Sequence, residues 1–233
     1  MKQLPLPLSP DPSCSLESYV PAGNEALMAH LGQAVMPTVP LYLWGARGCG
    51  KTHLLRALCE RARAAGHRVR WWRPGGEPAV SADDETPADL LLIDDVHALS
   101  AAQQQAVFSE LARAPTRAAV WAAAGAVPVI DLPLREDLRT RLGWGHVFEV
   151  RTLDETGTRE VLRREAVRRG IVLGEEVVHH LLSRFERDLS SLMGLLDSLD
   201  VYALAEGRAV TVPLLRRMLA QPDEAVPANG SPD

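Results

Sequence analysis

Gly45-Ala46-Arg47-Gly48-Cys49-Gly50-Lys51-Thr52 is the stretch of this chain best equipped for chemistry. It spells G-x-x-x-x-G-K-T, which is a phosphate loop when a strand precedes it and a helix follows. Apolar Leu41–Trp44 supplies the strand, and Leu54, Leu55, Leu58 and Ala62 recur behind it at helical spacing. In that setting the backbone N–H groups of Gly45, Gly48, Cys49, Gly50 and His53 cradle phosphates, aided by the positive end of the helix. Lys51 reaches the β- and γ-phosphates, and the Thr52 hydroxyl ligates Mg²⁺. The expected ligand is ADP or ATP.

Two further groups carry chemistry. The apolar run Leu90–Ile93 ends in Asp94-Asp95, in the place of a Walker B carboxylate. Asp94 would hold Mg²⁺ through water, and Asp95 would orient an attacking water. Two carboxylates there could instead cap the following helix, but the motif context favours the metal. Arg141 lies in Leu138-Arg-Thr-Arg-Leu-Gly-Trp-Gly145, between the fourth and fifth expected strands. In a P-loop ATPase such an arginine commonly faces the neighbouring subunit's nucleotide, where it is worth about 10³–10⁵ in rate. A solvated surface arginine fits the spacing equally well.

The elements that must position these residues follow from the pattern. Residues 1–20 contain Pro5, Pro7, Pro10 and Pro12 and run extended. A short helix spans Asn24–Val35, with Asn24 as N-cap. Strands are expected at Leu41–Trp44, Arg68–Trp72, Leu90–Ile93, Ala118–Ala123 and His146–Val150, with helices to about Ala65 and over Ala101–Ala114 between them. Pro74–Pro87 reads as a polar loop. Five strands alternating with helices give an α/β fold with a parallel sheet covered on both faces. Beyond Leu153 the pattern turns to helices alone, at about 155–169, 174–185, 188–205 and 213–220. The expected divisions are a tail over 1–20, a P-loop nucleotide-binding domain over 21–152, a small all-α domain over 153–220 and a disordered tail over 221–233.

Composition narrows the function classes. The net charge of −5 lacks the basic footprint that sequence-independent DNA binding requires. No apolar run approaches the roughly 20 residues that span a bilayer, so a cytoplasmic protein is expected. Cys14, Cys49 and Cys59 have no metal-ligand or redox spacing. Gln3-Leu4-Pro5-Leu6-Pro7-Leu8 alternates leucine with proline, a pre-stiffened peptide that loses little entropy on docking into an apolar groove. An ordinary disordered leader is the alternative.

Together these pieces resemble the Hda family, DnaA-related AAA+ proteins that inactivate the replication initiator DnaA. Leu92-Ile-Asp-Asp-Val96 and Arg141-Leu-Gly-Trp-Gly145 look like the Walker B and arginine-finger boxes of the DnaA group, and Gln3–Leu8 matches the family's peptide for the β sliding clamp of DNA polymerase III. The similarity covers about residues 1–220. It implies an AAA+ domain with a helical lid and a negative regulator of replication initiation. In that role Gln3, Leu4, Leu6, Pro7 and Leu8 dock on a clamp loaded on DNA, and Arg141 enters the ATP site of DnaA to promote hydrolysis. Contact with DNA is then indirect, at the replisome, and a homo-oligomer stays open. Only 13 residues follow Ala220, too few for the helix-turn-helix domain that DnaA carries there.

The sequence departs from the DnaA group in two places. Ala122-Ala-Ala-Gly-Ala126 puts Gly125 where a polar sensor 1 side chain is usual, and Ser190 stands at the sensor 2 arginine, with Arg187 nearby but out of phase. Both changes remove groups that detect the γ-phosphate, so weak or absent intrinsic ATPase activity is expected. A self-sufficient AAA+ ATPase such as a helicase loader is the alternative; so is a DnaA-like nucleotide-dependent initiation factor.

Overall fold

The computed structural model describes residues 14–75, 87–184 and 189–220, which form two compact units, 14–153 and 154–220. In the first, five strands form one parallel sheet: β1 (Leu41–Trp44), β2 (Val69–Trp72), β3 (Leu90–Ile93), β4 (Val120–Gly125) and β5 (His146–Glu149), in the spatial order β2-β3-β4-β1-β5. The inner strands β1, β3 and β4 are apolar and buried on both faces, as the inner strands of a parallel sheet are, whereas β2 is half-buried and β5, at the other edge, is largely exposed. Leu41, Leu43, Leu90, Leu92, Ala122 and Ala124 point to one face, against Leu54, Leu55 and Leu58 of α2 (Lys51–Ala64) and Leu27 and Leu31 of α1 (Glu25–Gly32). Tyr42, Leu91, Ile93 and Ala123 point to the other, against α3 (Ala101–Arg113) and α4 (Glu136–Leu142). The expected α/β sandwich is therefore present, with its five strands.

Local chemistry explains the details. Ser100 caps α3 in a reciprocal capping box with Gln103. Before β4 the chain makes a tight turn with Ala118 in the left-handed region (φ +53°), so the strand begins at Val120 rather than at Ala118 and runs on to Gly125. Asn24 sits at the N-cap of α1 but its side chain makes no capping bond. It is buried and pairs with the backbone of Arg151 instead, Nδ2 donating to the carbonyl (3.0 Å) and Oδ1 accepting from the N–H (2.8 Å). A buried amide satisfied twice outcompetes a half-exposed cap. Of the segment 1–20 expected to run extended, residues 1–13 lie outside the described residues; in the described part Ser15 and Ser18 exchange side-chain-to-backbone hydrogen bonds and Tyr19 and Val20 turn into the core.

The second unit contains α5 (Glu155–Arg168), α6 (Glu175–Arg184), α7 (Leu189–Glu206) and α8 (Val212–Ala220). Asp154 caps α5 by accepting from Gly157 N–H at 2.7 Å. Leu162, Val178, Leu181, Leu192, Leu199, Leu214 and Leu215 make its core. Arg169 ties the end of α5 to α7 through Asp197. No helix among the described residues is long and apolar enough to cross a membrane.

Candidate functional site

The phosphate loop leaves β1 at Trp44 and enters α2 at Lys51. Two of its glycines are demanded by the geometry. At Gly45 (φ +157°) a Cβ would lie 2.3 Å from the Val150 carbonyl oxygen; at Gly50 (φ +98°) it would lie 2.9 Å from Cε2 of Tyr19. Gly48 also has positive φ. Because Gly50 has no side chain to cap α2, the first backbone N–H groups of the helix are left for an anion.

Lys51 is buried, and its ammonium bridges the loop by donating to the carbonyls of Gly45 and Ala46, both at 2.8 Å, with Cys49 Sγ at 3.6 Å. The Thr52 hydroxyl faces the Asp94 carboxylate and favours its charged form. Asp94 ends β3, its N–H bonded to the Trp72 carbonyl and one carboxylate oxygen accepting from the Asp95 N–H at 3.1 Å. Burial pushes the Asp94 carboxyl above its ordinary value, the Thr52 hydroxyl works against that shift, and the charge of Asp95 adds to it. Asp95 is exposed, in the left-handed region at φ +45°. A buried carboxylate beside a threonine hydroxyl is an oxygen-donor pair suited to Mg²⁺, which keeps several of its waters. Lys51, Thr52 and Asp94 thus come together as one site, with Asp95 at its edge.

Two expected residues have other engagements. The His53 imidazole faces the N-terminal segment, with Nε2 3.2 Å from both the Ser15 carbonyl and the Ser18 hydroxyl. Cys49 is buried, and its carbonyl accepts from the Tyr19 hydroxyl at 3.4 Å. Tyr19 is a site residue that sequence reasoning missed. It packs on Gly50 from behind, and nothing in its local sequence marks it.

Tyr42 is the other. Its hydroxyl donates to the Val127 carbonyl at 2.7 Å and lies 2.1 Å from where a Cβ on Gly125 would stand. The position expected to carry a polar sensor has no room for any side chain. Ser190 lies on α7, but its side chain, Arg187 and the peptide Gln3–Leu8 fall outside the described residues.

Arg141 lies on α4. Its Nη1 donates to the Leu111 carbonyl at 3.2 Å, in the last turn of α3, where carbonyls lack helical partners. The guanidinium stacks on Trp144 (4.6 Å) and lies over Phe108 (5.5 Å). Among the described residues no carboxylate pairs with it. Phe108 also receives Arg135, which is in turn bound to Asp137.

Comparison with known proteins adds to this geometry. Residues 154–219 match the family model described as Hda, lid domain. An uncharacterized protein of Haemophilus influenzae is 27% identical over 228 residues, which cover 94% of this chain and 98% of that one. Domain III of the Thermotoga maritima replication initiation protein DnaA superposes with a TM-score of 0.75 at 23% identity, covering 91% of this chain and 98% of the domain. AMPPCP-bound DnaA from Aquifex aeolicus gives 0.65 at 22% identity, over 84% and 68% of the two chains. The likeness to the solved structures is one of fold.

Proposed function

We propose, from the premise that the chain is an Hda-like, DnaA-related AAA+ protein, that it limits replication initiation by stimulating hydrolysis of the ATP held by DnaA. Arg141 carries the reading. A permanently charged guanidinium, held by stacking and one carbonyl bond and free of any carboxylate among the described residues, can serve a partner's phosphates without first breaking an ion pair. Such a group supplies about 10³–10⁵ in rate when it meets transition-state charge.

The protein's own nucleotide, ADP or ATP, lies on the loop from Gly45 to Thr52, with Lys51 leaving the carbonyls of Gly45 and Ala46 to meet the phosphates. Thr52 and Asp94 would hold Mg²⁺, which screens phosphate charge when bound. That nucleotide serves to shape the AAA+ unit more than to be consumed. Tyr42 fills the space beside Gly125, so no sensor side chain reports the γ-phosphate. Gln3, Leu4, Leu6, Pro7 and Leu8 dock on the β sliding clamp. Tethering there raises the effective concentration near DnaA without demanding a tight direct contact.

The test mixes ATP-DnaA, clamp-loaded DNA and this protein and follows phosphate release. Wild type stimulates hydrolysis; Arg141→Ala loses the stimulation by about 10³-fold or more, and Gln3→Ala loses it at limiting concentration. Wild type that leaves ATP-DnaA untouched defeats the proposal.

A further inference from the structure

Ser15-Leu16-Glu17-Ser18-Tyr19-Val20 form a short strap against the phosphate loop. The strap is closed on itself. Ser15 N–H donates to Ser18 Oγ (3.3 Å), Ser18 N–H to Ser15 Oγ (3.2 Å), and the Ser18 hydroxyl to the Ser15 carbonyl (2.8 Å). Leu16 and Tyr19 anchor it in the core beside α2. Two side chains then join it to the loop. The Tyr19 ring stands 2.9 Å from where a Cβ on Gly50 would lie, and its hydroxyl donates to the Cys49 carbonyl. Burial pushes the phenol well up from its ordinary range, so it stays a neutral donor. His53, in the first turn of α2, holds the strap from the other side, with Nε2 3.2 Å from both the Ser15 carbonyl and the Ser18 hydroxyl. A carbonyl only accepts, so Nε2 carries the proton and donates to the strap.

The backbone held in this way is the part a phosphate would use. The three atoms nearest to a Cβ on Gly50 all belong to Tyr19, and Lys51, Thr52 and His53 open α2 with N–H groups that lack helical partners. Gly45, Gly48 and Gly50 all have positive φ. A loop with three such glycines has much freedom to lose when a ligand binds, unless something orders it beforehand. We propose that Tyr19 and His53 are positioning residues: through the strap they hold the phosphate loop in its phosphate-receiving form, and so set nucleotide affinity from behind the loop. The linkage is reciprocal, since a nucleotide that stiffens the loop tightens the strap by the same free energy. The inference rests on the reading of the loop as a nucleotide site, and it adds what preorganises that site.

Titration with fluorescent methylanthraniloyl-ADP and amide hydrogen exchange, both on the full chain, test the strap. Tyr19→Ala weakens ADP binding about 10- to 100-fold. Tyr19→Phe keeps the ring, gives up one long hydrogen bond and stays within about 3-fold of wild type. His53→Ala weakens binding about 3- to 10-fold. Leu31→Ala is the control, in the same core but beside Arg61 at the far end of α2; it lowers the melting temperature and leaves ADP affinity unchanged. In wild type, ADP slows exchange at the Ser18 and Tyr19 amides, which donate to Ser15 Oγ and the Leu16 carbonyl. Without nucleotide, Tyr19→Ala speeds exchange at the Cys49 amide, which donates across the loop to the Ala46 carbonyl. Wild-type affinity in Tyr19→Ala overturns the inference, as does a loss in Leu31→Ala equal to that in Tyr19→Ala. ADP that binds and leaves the strap amides unaltered overturns it too. Wild type that binds no ADP defeats the nucleotide reading alone, and the Cys49 amide then decides the strap: an unaltered rate in Tyr19→Ala overturns it.

Discussion

At Asp94 the structure sets burial and the nearby Asp95 charge against the Thr52 hydroxyl, and burial prevails. The folded carboxyl therefore holds its proton to higher pH than the unfolded one. In the nucleotide-free protein this residue costs stability as pH rises through the carboxylate range, and the cost vanishes in acid, where both states are protonated. Asp94→Asn should accordingly raise the melting temperature of the nucleotide-free protein at neutral pH, with the gain fading as pH falls. The same variant should weaken the dependence of nucleotide affinity on Mg²⁺. Thermal melts across pH decide it, and an Asn variant that melts lower than wild type at neutral pH contradicts the assigned burial. The identities of Lys51, Thr52 and Asp94 were legible in the sequence because their motifs are local and sit at strand ends. Tyr19 was not, since its contact with Gly50 joins segments about 30 residues apart and depends on the fold.

Between elements, β1 and β4 share one constraint that neither strand displays alone. Tyr42 and Gly125 lie on adjacent strands, with the Tyr42 hydroxyl reaching past Gly125 to the Val127 carbonyl. Gly125→Ala should cost about 1–3 kcal/mol through overpacking. In a Tyr42→Phe background most of that cost should disappear, although Phe itself gives up the bond to Val127. A double-mutant cycle by denaturant unfolding measures this coupling. Strict additivity would mean that the hydroxyl does not fill the sensor position. The strands themselves were read to within two residues from apolar runs. The exceptions trace to competition between local and distant partners: Ala118 was taken into a left-handed turn, and Asn24 was drawn from helix capping to the Arg151 backbone.

Across the whole chain, the five-stranded parallel sheet followed by a helical unit was legible from the switch of periodicity near residue 153, and the match of residues 154–219 to the Hda lid agrees with it. In the proposed function two nucleotides divide the labour, one that shapes this protein and one that is hydrolysed in its neighbour. Single-turnover phosphate release, with labelled ATP placed on one protein at a time, tests that division most directly. Label on DnaA, with ADP on this protein, should be released rapidly on clamp-loaded DNA and not at all with Arg141→Ala. Rapid release of label placed on this protein, with DnaA absent, would contradict the account.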